Sequence, residues 1–287
     1  MGTPMARQYA PAHPTVLYDI GPAASELANE LGIPSISSLA TLPEGIDTVI
    51  LMVPNSRIVE SILVDGDALL DKLPAGALVI DMSSSVPAST KKLAELAAGK
   101  NIDYVDAPVS GGTVKAVTGQ LSIMMGGEAA AIERATPHLE PMAGIVLVVG
   151  PPGSGHAAKA LNNLLSATNL IAAAEIVTVS TRFGIAPEVM VDVINASTGR
   201  SQASEVKFPN HILTGTYDSG FAMDLMIKDL GIARDIADDE GLATPLTQTT
   251  FDIARAARLA LDGDNLDHTE LARYYEEKND LTFRREH

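Results

Sequence analysis

The chain has 287 residues, 46% of them hydrophobic and 20% charged, which is enough for one large domain or two ordinary ones with a substantial core and too apolar for disorder. A net charge of −16 repels phosphate backbones, so no nucleic-acid partner is expected, and an anionic substrate needs a local positive site. The absence of cysteine excludes disulfides and thiolate metal sites, and no metal site is expected; with no signal-peptide pattern at Met1 and no apolar run read as a membrane span, the expectation is a cytoplasmic protein without a membrane partner.

In chain order, Val16-Leu17-Tyr18-Asp19 reads as the end of a strand and Ala23–Leu31 as a helix. Asp47 to Val53 is an apolar strand halted by Pro54. Val59–Leu70 has helical spacing, Ala77 to Asp81 is the next strand, and Ser89–Ala98 is a helix that Ser89 is placed to cap. Tyr104-Val105-Asp106 is a shorter strand. Continuous apolar strands separated by helices predict a parallel sheet covered on both faces, an α/β doubly wound domain over residues 1–151. The breaker cluster Gly150-Pro151-Pro152-Gly153-Ser154-Gly155 marks its end. Beyond it, Gly155 to Phe183 reads as one helix of about 40 Å, ended by Gly184. Pro187–Ile194, Ala222–Asp239, Leu246–Leu261 and His268–Asn279 read as further helices, which makes residues 152–287 an all-helical domain.

Three motifs carry chemistry. On the long helix, the spacing of His156, Lys159 and Asn163 puts them on one face with Asn162 beside them, a polar stripe on an otherwise apolar helix. Two adjacent asparagines are poor helix formers, so their presence there needs a reason; the alternative is a lysine that merely points into solvent. The second motif is Asp106-Ala-Pro-Val-Ser110-Gly111-Gly112. It follows a strand and so lies at the carboxyl edge of the sheet, where Ser110 offers a hydroxyl and the glycines let backbone amides approach an anion. The third, Lys228-Asp229-Leu230, reads by itself as a solvated helical pair.

Taken together, in order and at matching spacing along the whole chain, these motifs resemble those of the β-hydroxyacid dehydrogenases, the family of 3-hydroxyisobutyrate dehydrogenase and tartronate semialdehyde reductase. The resemblance implies a Rossmann-like domain followed by an all-α domain, and hydride transfer between a nicotinamide cofactor and a small 3-hydroxy acid or its semialdehyde. It implies Lys159 as the general acid/base with Asn163 beside it, and Ser110, Gly111, Gly112 and Asn162 as substrate contacts. It implies Gly2, Met5, Asp19, Val53, Pro54, Ser84 and Lys228 as cofactor contacts, and a homodimer or homotetramer. No contact is carried over to Arg57-Ile58.

The chain departs from the pattern at its start. A dinucleotide fold opens with a strand and Gly-x-Gly-x-x-Gly; Met1-Gly2-Thr3-Pro4-Met5-Ala6 looks like the tail of that fingerprint, with Gly2 as its third glycine. The first strand and first two glycines are absent from the sequence, and the expectation is that the start lies upstream. Asp19, at the end of the next strand, accepts from a ribose 2′-hydroxyl and repels a 2′-phosphate, which favours NAD over NADP. Two other readings remain at this point: a non-catalytic binding protein with a damaged cofactor site, and an imine-reducing relative. Arg200, in Ser197-Thr-Gly-Arg200, is either a second anion contact or an exposed loop arginine.

Overall fold

The computed structural model describes residues 1–284, and by its packing the chain falls into two compact units, Met1–Lys159 and the rest from Ala160 onward. The first unit opens with helix α1 (Gly2–Tyr9), which buries Met5. Strand β1 (Leu17–Tyr18), helix α2 (Ala23–Leu31, ended by Gly32 in the left-handed conformation) and strand β2 (Ser35–Ile36) follow. Strands β3 (Thr48–Leu51), β4 (Leu78–Asp81) and β5 (Asp103–Asp106) are the apolar runs of the sequence, and they pair in parallel register.

Between β3 and β4 the expected single helix is broken. Helix α3 (Ser56–Glu60) widens into a π-turn over Ser61–Asp65, Gly66 and Asp67 both donate to the Ser61 carbonyl, and Ala68 takes φ +47° before the short α4 (Leu69–Lys72). Helix α5 (Pro87–Ala98) begins two residues before the position expected; Ser89 donates instead to Glu60, and Pro87 starts the helix with its preset φ.

The sheet is mixed rather than wholly parallel. After β6 (Val109–Ser110) and α6 (Gly112–Val117), β7 (Leu121–Gly127) runs antiparallel to both β5 and β6. The stretch 111–120 is shorter than the dozen or so residues a parallel crossover needs, so the chain returns as a hairpin-like arm. Helix α7 (Ala129–Leu139) then leads to edge strand β8 (Ala143–Gly150), parallel to β7. The order is β3-β4-β5-β7-β6 with β8 on β7, while β1 and β2 form a separate two-stranded sheet. The ladder is thus interrupted between β1 and β3, where the doubly wound order places its first strand.

Helix α8 (Ser154–Phe183) begins in the first unit and continues into the second, so the change of unit falls inside the helix, after Lys159. Gly184, at φ +101°, ends it. The second unit adds α9 (Pro187–Asn195), a π-helical segment Ala203–Ile212, α10 (Met223–Asp239), α11 (Pro245–Ala260) and α12 (Leu271–Asn279). Its core joins Ala167, Leu170, Ala174 and Val177 of α8 to Phe208, Leu230, Phe251 and Phe283. Contrary to the sequence expectation, α8 is long and apolar enough, by length and composition, to cross a bilayer. Its buried face supplies this core, which accounts for part of its apolar character.

Candidate active site

Because β3, β4 and β5 are parallel, their carboxyl ends open on one edge, the position at which open α/β sheets bind ligands. A buried polar cluster knits these ends together. Asp81, fully buried at the end of β4, accepts from the Ser83 amide at 2.9 Å, the Ser85 hydroxyl at 3.1 Å and the Tyr104 hydroxyl at 3.1 Å. Burial, reinforced by Asp81, pushes the Tyr104 phenol well above its usual range. The Ser83 hydroxyl in turn accepts from the Val53 amide at 3.0 Å. The loops carrying Val53-Pro54 and Ser84 are therefore fixed to each other; Pro54 is exposed and Ser84 half-buried.

Asp106, at the end of β5, reaches across fifty residues of sequence to cap α8: it accepts from the Gly153 amide at 2.8 Å and the His156 amide at 2.9 Å. Burial raises its pKa, opposed by His156 and by these amides. Gly155 permits the approach, since a Cβ there would lie 2.8 Å from the Asp106 carbonyl oxygen. His156, on the helix face that its spacing shares with Lys159 and Asn163, is taken up by the strand ends. It is buried in this cluster, donating from Nε2 to the Ser83 carbonyl at 3.1 Å, with Nδ1 2.8 Å from the Thr90 hydroxyl. Two buried carboxylates, Asp81 at 3.9 Å and Asp106 at 3.8 Å, hold the ring there.

Lys159 follows His156 by three residues and is half-buried. Ser110 is half-buried, and Gly111 and Gly112 are exposed with φ of +121° and +65°, values that only glycine adopts without strain and that leave a backbone turn open to an anion. Gly2 is exposed on α1, whereas the Met5 side chain is 3% exposed and packs in the core under the sheet, which leaves only its backbone to face a ligand. Asp19 is exposed, and one of its oxygens accepts from the Gly21 amide at 2.7 Å.

In the second unit Asn163 is 6% exposed and donates from Nδ2 to Asp229 at 2.6 Å, while Lys228 lies 3.4 Å from the other Asp229 oxygen. Asp229 itself is 2% exposed. By sequence alone Lys228-Asp229 reads as a solvated pair, and the signal for a buried partner is the mid-helix asparagine pair. Asn162 is exposed, and its amide donates to Asn163 Oδ1 at 3.5 Å. Arg200 is exposed and lies 3.5 Å from Glu205, in keeping with the loop-arginine alternative.

The residues present fit part of a dinucleotide. The carboxylate of Asp19, with one oxygen already held by Gly21, suits ribose hydroxyls, and the joined loops after β3 and β4 form a rigid wall. No glycine-rich turn joins a first strand to a helix in the described residues, so the diphosphate cradle has no counterpart there.

Comparison with known proteins agrees with the geometry. Residues 1–150 match the NAD binding domain of 6-phosphogluconate dehydrogenase, and residues 153–275 match the NAD-binding domain of NADP-dependent 3-hydroxyisobutyrate dehydrogenase. The 2-(hydroxymethyl)glutarate dehydrogenase of Eubacterium barkeri is 37% identical over 90% of this chain and 86% of its own length. The NAD-dependent L-serine dehydrogenase of Pseudomonas aeruginosa is 34% identical over 89% of this chain and 88% of its own. The structure of Mycobacterium tuberculosis 3-hydroxyisobutyrate dehydrogenase with L-serine superposes with a TM-score of 0.85 at 32% identity, covering 95% of this chain and 94% of that one.

Proposed function

The chain belongs to the β-hydroxyacid dehydrogenase family and is an NAD-linked oxidoreductase of small hydroxy acids, and from that premise we propose that Lys159 is its general acid/base, acting on a small anionic 3-hydroxy acid or the matching semialdehyde. The observation that carries the reading is the placement of Lys159 one turn beyond the point where Asp106 and His156 lock the start of α8 to the strand ends. General acid–base chemistry needs a proton acceptor held to a fraction of an ångström, and a helix clamped at its first turn supplies that.

When bound, the nicotinamide supplies the hydride acceptor for oxidation and the hydride donor for reduction. Lys159 takes the hydroxyl proton as the alcohol is oxidised and returns it to the aldehyde oxygen in the reverse direction. Ser110 and the Gly111 and Gly112 amides hold the substrate carboxylate, with Asn162 an additional contact. Asn163, its Nδ2 committed to Asp229, presents Oδ1 to the substrate. Gly2, the Met5 backbone, Asp19, Val53, Pro54, Ser84 and Lys228 are assigned to the cofactor. We take residues 1–151 as the dinucleotide-binding domain and 152–287 as the helical substrate and oligomerisation domain.

Lys159→Ala lowers kcat by about 10²–10⁴, the usual share of a general acid/base, with little change in NAD affinity. Lys159→Arg fails nearly as badly, because a guanidinium keeps its proton. Near-normal kcat in both folded variants would overturn the assignment. Asp19 sets a preference for NAD, checked by the ratio of kcat/KM for the two cofactors; a higher value with NADP refutes it. A homodimer or homotetramer is supported by an exposed apolar stripe along α8, formed by Leu161, Leu165, Ile176, Val179 and Phe183, the last 85% exposed.

A further inference from the structure

The chain carries a net charge of −16, yet its proposed substrate is an anion, so the carboxylate loop needs a positive group that the motif Ser110-Gly111-Gly112 does not contain. Lys115 lies in α6, immediately after that loop. Side chains on a helix lean toward its N-terminus, and the Lys115 stem reaches back over Gly111 in this way. A Cβ on Gly111 would fall 2.8 Å from Lys115 Cβ, 3.0 Å from Cγ and 2.5 Å from Cδ. Three successive methylenes therefore lie across the glycine, and Cδ is two bonds from the ammonium, which cannot leave the neighbourhood of the loop without lifting the stem. The side chain remains exposed, so its charge faces solvent rather than the core.

We propose that Lys115 is a specificity-determining residue: its ammonium pairs with the carboxylate of the hydroxy acid held at Ser110-Gly111-Gly112 and makes the enzyme select anionic over neutral hydroxy compounds. This rests on the assignment of that loop to the substrate. It also gives Gly111 a second task beyond its backbone angle, because any side chain there would displace the lysine stem from the loop.

The competing explanation is a lysine whose stem merely shields the loop, and Lys115→Met separates the two by keeping the apolar stem and removing the charge. The test uses the full chain with NAD and whichever of 3-hydroxyisobutyrate, L-serine or 2-(hydroxymethyl)glutarate is turned over fastest, alongside its methyl ester. Lys115→Met is expected to raise KM for the acid about tenfold, the step from a charge-assisted to a neutral contact, with kcat changed less than about twofold. KM for the ester stays as in the wild type, and added salt, which raises the wild-type KM for the acid, affects the variant little. Lys115→Arg restores much of the lost affinity. An unchanged KM for the acid in an active Lys115→Met enzyme, or an equal rise for acid and ester, overturns the role of Lys115 and leaves the dehydrogenase reading intact. A wild-type protein that oxidises none of the three acids overturns both.

Discussion

Acid should weaken the helical unit through one buried histidine. His268 is 3% exposed, lies edge-on to Phe221 at 5.5 Å, and its Nδ1 is 3.2 Å from the Phe221 carbonyl and 3.1 Å from the Ser219 hydroxyl. Desolvation, with Lys207 adding repulsion, lowers its pKa from 6.5 to about 4 despite the neighbouring Asp267. The sign follows from where the proton binds first. Between about pH 6.5 and 4 the unfolded chain is protonated at this position and the folded chain is not, so folding stability is fully present above pH 6.5 and is lost as pH falls through the interval. A shift of that size corresponds to about 3 kcal/mol, levelling off below pH 4. The neighbouring Asp267 holds the entry to α10: it accepts from the Gly220 and Phe221 amides, while the Met223 amide donates to the Leu266 carbonyl. Since α10 carries Lys228 and Asp229, the same acid titration loosens the groups that hold Asn163. His268→Asn keeps a donor for the Phe221 carbonyl and removes the titration. Denaturant unfolding from pH 7 to 4 should show the variant less stable at pH 7 but with a slope smaller by about 3 kcal/mol over the interval. Parallel curves for wild type and variant would refute the reasoning.

Three further outcomes are expected. Asp229→Ala leaves the buried Asn163 amide without its acceptor, at about 1–3 kcal/mol, and should lower kcat/KM about tenfold or more, with Asp229→Asn milder; steady-state kinetics beside a melting curve decide it. Asp106→Asn leaves one acceptor for two amide donors at the head of α8, and should lower kcat about tenfold while NAD binding, followed by fluorescence titration, stays within about twofold. Phe183→Ser with Val179→Ser should shift the light-scattering mass toward the monomer; an unchanged oligomer would place the interface elsewhere.

Much of the fold was legible because its elements announce themselves locally. The apolar runs of β3, β4 and β5 and the long α8 follow from periodicity and breakers, and Gly32 and Gly184 mark helix ends by their backbone angles. What local pattern does not encode is pairing direction and wide turns. The antiparallel β7 depends on the short return from β6, and the π-turn at Ser61–Asp65 arises where Gly66 and Asp67 share one carbonyl, neither of which alters the hydrophobic spacing.

The site divides along the same line. Lys159, Asn163 and the Ser110-Gly111-Gly112 turn were visible because their residue types are out of place on an apolar helix or demanded by positive φ. The roles of Asp81, Thr90, Asp106 and Asp229 were not, because each acts through a partner distant in sequence: Asp106 through amides fifty residues on, Asp229 through Asn163, Thr90 through His156. His156 shows the difference most directly. Helical spacing puts it on the face of Lys159, and there two buried carboxylates and a serine carbonyl from the ends of β4 and β5 hold it in the first unit. The face a helical residue presents is set by spacing, but which of the neighbouring residues on that face does chemistry is set by what packs against each turn. For α8 that changes within about two turns, from the strand-end cluster at His156 in the first unit to the Asp229 acceptor at Asn163 in the second.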